Sequence, residues 1–159
     1  MGNLYPENLY FEDAEVGTSL LAGPYLVTKS EIIQFAKQYD PIPRHIDEQA
    51  AARSIFGGLT ACAAHTFSIF VFLTTRLQPR LHVLAGMGWD ELRLPNPARP
   101  DDVLDLEVSV LEKRESKSKS DRGIVRNQIL LRNQRRETVL QCISNTLVAR
   151  RPDANAPSG

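Results

Sequence analysis

A chain of 159 residues, 42% hydrophobic and 24% charged, has room for one buried core and hardly for a second independent domain. Its 19 Lys and Arg balance its 19 Asp and Glu, so no net field draws it to nucleic acid or to an anionic membrane, and any anionic ligand must be held locally. Its beginning lacks a basic segment followed by an apolar run, and the longest apolar stretch is interrupted by His65, Ser68, Thr74 and Thr75, so neither export nor membrane spanning is expected. Cys62 and Cys142 lie far apart without CxxC or Cys/His spacing; they read as core thiols of a cytoplasmic protein, with no metal site. Residues 1–151 read as one domain, and the Pro-, Ala- and Ser-containing tail 152–159 as disordered.

In chain order, Thr28-Lys29-Ser30-Glu31 is a Thr-x-x-Glu capping box, and Ile32, Phe35, Ala36 and Tyr39 follow at helical spacing, so a first helix runs toward Asp40. Pro41 and Pro43 disfavour helical geometry at the residues before them, and 40–44 is expected to be a rigid extended loop. His45 then emerges just before a short helix over 48–54 that Asp47 can cap. Gly57-Gly58 breaks the pattern. The stretch 59–77, almost wholly apolar and free of Gly and Pro, is long enough for about five helical turns.

A helix that apolar has to be wrapped, and the segments 83–94, 103–114, 123–132 and 138–150 read as the strands that wrap it. Leu104, Leu106, Val108 and Val110 alternate with Asp105, Glu107 and Ser109, which gives that strand one buried and one wetter face. Asn133-Gln134-Arg135-Arg136 is a polar hairpin turn, Met87 and Trp89 read as packing residues, and His82 as structural. A long buried helix followed by antiparallel strands implies an α+β architecture in which a curved sheet wraps the helix.

Asp40-Pro41-Ile42-Pro43-Arg44-His45 places a carboxylate and an imidazole on a loop stiffened by two prolines, where both can share one water. Addition of water across a double bond needs one group to take a proton and another to deliver one, and these residue types can do both. Alone, the pair also fits a turn Asp beside a partly exposed His.

The surroundings add weight. Phe11-Glu12-Asp13-Ala14-Glu15-Val16-Gly17, then Phe35-Ala36-x-x-Tyr39-Asp40-Pro41-x-Pro43-x-His45-x-Asp47-Glu48-x-Ala50-Ala51, then Phe56-Gly57-Gly58-Leu59 form an ordered series. Asp90-Glu91-Leu92-Arg93-Leu94-x-x-Pro97-x-Arg99-Pro100-x-Asp102 and the stretch from Ser116 to Val125 continue it. Together they resemble the MaoC-like dehydratases, a family that includes R-specific enoyl-CoA hydratases, over residues 11–151.

The resemblance implies a single hot-dog domain, a central helix wrapped by an antiparallel sheet, associated as a homodimer or higher homo-oligomer. It implies that Asp40 and His45 hold the water that adds to a trans-2-enoyl thioester carried on CoA or an acyl carrier, without a cofactor. Backbone N–H groups at the start of the helix from Leu59 would polarise the carbonyl, which involves Gly58 and Ala63. His65 is either a satisfied core histidine or a polar group facing the acyl tunnel. Lys117, Lys119 and Arg122 either meet CoA phosphates or form a solvated hairpin.

Three positions depart from the family pattern: Ile42 in place of a polar residue, Ala63 in place of Gly, and Asp101 in place of the Gly of a Pro-Gly-Asp turn. Two rival functions follow, a non-catalytic acyl-thioester binding or partner subunit and a hot-dog thioesterase.

Overall fold

The structure is a computed structural model and describes residues 8–152. Five strands form one antiparallel sheet in the order β2-β5-β6-β7-β4, with β2 Ser19–Leu26, β4 Val83–Arg93, β5 Val103–Glu115, β6 Arg122–Arg132 and β7 Thr138–Ala149. A short parallel pair, β1 (Asn8–Leu9) with β3 (Arg80–Leu81), lies apart from it. Among the described residues there are four α-helices: α1 Lys29–Tyr39, α2 Pro43–Ile46, α3 Glu48–Ala52 and α4 Ala63–Thr74. This is the α+β hot-dog arrangement expected, with α4 laid on the inner face of the sheet.

Side chains alternate across each strand, so every second residue of β6 and β7 points to the inner face, part of which α4 covers. Leu131 pairs with Leu140 and Ile129 with Cys142 across the two strands. With Leu104 and Leu106 of β5 they pack against Ile69, Phe70 and Leu73 of α4. Each such side chain contributes about 1.5–3 kcal/mol by leaving water. Both cysteines are free and buried, and burial pushes the Cys142 thiol up to about 11. Among the described residues no helix is long and apolar enough to cross a membrane. The expected tail lies almost wholly outside the described residues.

The four expected strands form within one or two residues of their expected bounds. β2 has no expected counterpart: Gly23-Pro24 looks like a break in the sequence, but the sheet absorbs it as a register shift between Ala22 and Tyr25. The Thr28 capping box closes as read, and Asp47 caps α3, which ends at Ala52 instead of residue 54.

Two expectations are corrected. The central helix begins at Ala63, not Leu59, and ends at Thr74, giving about three turns instead of five. Residues 59–62 are drawn out of the helix by tertiary hydrogen bonds: the Ala61 N–H donates to the Ala98 carbonyl at 2.9 Å, and the Thr60 carbonyl accepts from His45 at 2.7 Å. The second correction is α2: residues 43–46 make a helical turn in place of the end of an extended loop, so His45 lies within a helix. Pro43 sits at its first position, where a missing N–H costs nothing.

The far end of the sheet is closed by the N-terminal segment. Phe11, in the single 3₁₀ turn Phe11–Asp13, is buried over Gly123 and packs with Ala14, Val125 and Val148 as a second small core. Lys113 donates to the carbonyls of Phe11 and Glu12, Arg150 pairs with Glu12, and Arg151 with Asp13. The Arg150 guanidinium holds the Glu12 carboxyl down to about 2. A Cβ at Gly123 would fall inside the Phe11 ring. Gly123→Ala is therefore expected to destabilise by about 1–3 kcal/mol and Phe11→Ala by about 3–5 kcal/mol. The double variant should lose less than the sum, because removing the ring removes the clash; urea unfolding measures all three.

Candidate active site

Asp40 is the C-cap of α1, with its N–H donating to the Ala36 carbonyl at 2.8 Å. Its carbonyl accepts from the Ile42 N–H, which turns the chain sharply into α2 and brings His45 back toward it. His45 is 4% exposed. A carbonyl can only accept, so His45 Nδ1 carries the proton given to the Thr60 carbonyl, and Nε2 is left with its lone pair. That Nε2 lies 3.8 Å from Asp40 Oδ2. The gap is too long for a direct hydrogen bond, yet both atoms can reach one oxygen placed about 2.8 Å from each. Asp40 stays partly open to solvent while His45 is enclosed.

The Thr60 carbonyl that holds His45 is three residues from the start of α4. Cys62, the N-cap of α4, makes no side-chain capping bond, and no acidic residue stands in the first turn. The first N–H groups of a helix have no partner within it and carry the positive end of its dipole, and Ala63 and Ala64 are the first two residues of α4. Gly58 lies one loop earlier and faces Arg99, whose guanidinium donates to the Phe56 carbonyl. Asp101 has φ of 67°, the left-handed conformation that glycine adopts most readily. The turn it makes holds Asp102, a buried carboxylate bound by the Arg99 N–H and by Arg135.

His65 belongs to a network that the sequence alone does not show. Its Nε2 meets Glu31 Oε1 at 3.0 Å, the same oxygen accepts from the Tyr25 hydroxyl at 2.7 Å, and the imidazole stacks on Phe35. The other Glu31 oxygen closes the capping box. Read as a cap, Glu31 gives no hint that it also organises a buried histidine. Burial lowers the His65 pKa and Glu31 only partly opposes this, while burial and then Glu31 push the Tyr25 hydroxyl up to about 12.

Lys117, Lys119 and Arg122 lie at or beside the β5–β6 turn. Asp40 and His45 lie near the opposite end of β5, a strand of 13 residues, or on the order of 40 Å. Arg122 is engaged by Asp121 at 2.6 and 2.8 Å. Within one chain, therefore, these cations and the Asp40–His45 pair are not brought together. His82 ties β1 and β7 through its backbone, as a structural residue should. Trp89 packs edge-on to Phe67, but Met87 is 54% exposed on the edge strand β4.

A helix on a wrapped antiparallel sheet defines a hot-dog protein. Residues 12–132 match the MaoC like domain, and the chain belongs to that family. It is similar to a MaoC-like dehydratase from Rhodospirillum rubrum, with 41% identity, a TM-score of 0.86, and 92% of this chain and 100% of that chain covered. It is 30% identical to protein MaoC of Klebsiella aerogenes over 69% of this chain, but spans only 33% of that longer protein. The unliganded R-hydratase PhaJ1 of Pseudomonas aeruginosa shares the fold, with a TM-score of 0.75 and 21% identity over 95% of each chain.

The lowered His65 pKa sets a pH dependence. The unfolded chain takes up this proton more readily than the folded one, so the stability from neutral His65 is present above about pH 6.5 and is lost as pH falls below it. The difference in urea midpoint between wild type and His65→Gln should therefore narrow between about pH 8 and about pH 5.

Proposed function

We propose that this chain is a hydro-lyase that adds water to a trans-2-enoyl thioester, or removes it from the 3-hydroxyacyl product, using Asp40 and His45. The observation that supports it most is the 3.8 Å separation of His45 Nε2 and Asp40 Oδ2, with the imidazole tautomer fixed by the Thr60 carbonyl. A water between the two groups gives one proton to the pair as its oxygen bonds to C3. The C2=C3 electron pair moves toward the thioester carbonyl and makes an enolate oxygen. In this reading the N–H groups of Ala63 and Ala64, at the start of α4, would stabilise that charge. C2 then takes a proton back from the pair, and dehydration is the reverse of these steps.

The working unit in this reading is a homodimer. β4 is an edge strand whose Val83, Leu84, Met87, Trp89 and Leu92 are exposed, as is Leu94 just past its end, and such an edge invites pairing with a second copy. Val71 and Phe72 on the outer side of α4 are likewise open. Acyl-CoA and acyl-carrier thioesters both remain compatible with the site. One observation favours the rival of a non-catalytic binding subunit: the half-buried Ile42 side chain, between Asp40 and His45 in sequence, is apolar and offers their side chains no hydrogen bond.

A panel of trans-2-enoyl-CoAs separates the readings. Loss of enoyl absorbance without free thiol is the expected result; free thiol identifies a thioesterase, and binding without either product identifies a binding subunit. Asp40→Asn and His45→Ala are each expected to lower hydration by about 10²-fold or more, with the double variant little worse than the poorer single one. Ile42→Gln should raise turnover, and light scattering should find at least a dimer.

A further inference from the structure

The inner face of the sheet is covered by two separate apolar groups, and the row between them is polar. α4 covers the rows Leu131–Leu140 and Ile129–Cys142. The Phe11 turn covers Val125 and Val148. Between them Asn127 pairs with Ser144, flanked in the same row by Val110 and Trp89. Above this row, beside Phe70 and the end of α4, lies a cavity of about 540 Å³, within the size range of small-molecule sites.

Its walls are mainly apolar but its floor is not. Asn127 is 4% exposed, and its Oδ1 has no hydrogen-bond partner. His82, which also lines the cavity, has a buried Nδ1 without a partner. Ser144 is buried on the same floor. Buried polar atoms are normally paired, because an unpaired one forfeits its hydration for nothing. Asp13 and Arg80 among the lining residues have opposite charges, so nothing here selects an anion. A neutral group able both to donate and to accept suits this floor, and a hydroxyl is the simplest.

We propose that the cavity seats the far end of an acyl chain that carries a hydroxyl there, so that the protein prefers oxygenated acyl thioesters over plain ones of equal length. The inference rests on the thioester reading of the Asp40–His45 site. Phe70 lies seven residues along α4 from Ala63, or about 10 Å, so a chain held by its thioester at the helix start reaches the cavity at medium length. The hydroxyl would donate to Asn127 Oδ1 and accept from Ser144 or His82.

Trp89 is the only tryptophan and lines the cavity, so its fluorescence reports occupancy directly. The probes are octanoyl-, decanoyl- and dodecanoyl-CoA and their ω-hydroxy counterparts, which have no C2=C3 bond to hydrate. At one chain length or more, the ω-hydroxy compound is expected to bind wild type at least as tightly as the plain one, despite the cost of desolvating its hydroxyl. Asn127→Leu should weaken the ω-hydroxy compound by about tenfold or more relative to the plain chain, and Ser144→Ala should move the ratio the same way.

The proposal is overturned if wild type prefers the plain chain by more than about tenfold at every length. It is equally overturned if neither substitution changes the ratio, or if no acyl-CoA perturbs Trp89. Should Asn127→Leu fail to fold, the wild-type preference and Ser144→Ala decide. Crotonyl-CoA is too short to reach the cavity, so its hydration tests the Asp40–His45 reading separately. No hydration of any trans-2-enoyl-CoA in the panel, crotonyl-CoA included, alongside an intact ω-hydroxy preference would overturn the enzyme reading and leave the cavity assignment standing.

Discussion

The hydrogen bond from His45 Nδ1 to the Thr60 carbonyl joins the two parts of the chain on which the site depends. It fixes which imidazole nitrogen is available, because a carbonyl accepts and never donates. It also engages a backbone group that the continuous apolar pattern would otherwise give to a helix. With Ala61 tied to Ala98, the segment stays extended for four residues, and the first uncapped turn of α4 starts beside the imidazole instead of a turn before it. Histidine chemistry and helix position are thus set by one short contact.

Around that contact the polar groups are arranged in layers. Glu31 uses one oxygen on the α1 cap and the other on His65 and Tyr25, so the start of α1, the first turn of α4 and β2 meet at one carboxylate. Phe35 stacks on the same imidazole, which leaves His65 enclosed and burial as the dominant influence on its protonation. The arrangement ties the first turn of α4 to α1 and β2. On the outer faces, β4 and the Val71–Phe72 side of α4 keep apolar surface that one chain does not cover.

Features whose causes are local were legible in the sequence. The Thr28 box, the Asp47 cap and the four long strands form as patterned because capping and alternation act over a few residues. The Asp40–His45 pair was legible as a pair, though its enclosed geometry was not. What the sequence hid is tertiary. No run of apolar residues reveals that Ala61 will bond to Ala98, so the start of α4 was misplaced by one turn. The two prolines suggest extension throughout, yet Pro43 is suited to opening a helical turn. Glu31 looked fully used as a cap, and the Asn127–Ser144 row reads as ordinary strand polarity until the gap between two apolar clusters is seen above it.

The pairing of Glu12 and Asp13 with Arg150 and Arg151 has a consequence for architecture at a larger scale. It places both ends of the described chain at one pole, under the β5–β6 turn, while Asp40 opens at the other. A domain fused before or after this one would therefore be tethered at the pole away from Asp40 and His45, and joining the two ends by a short link would be geometrically undemanding. Such a module can be strung in series or permuted without obstructing the end at which Asp40 opens.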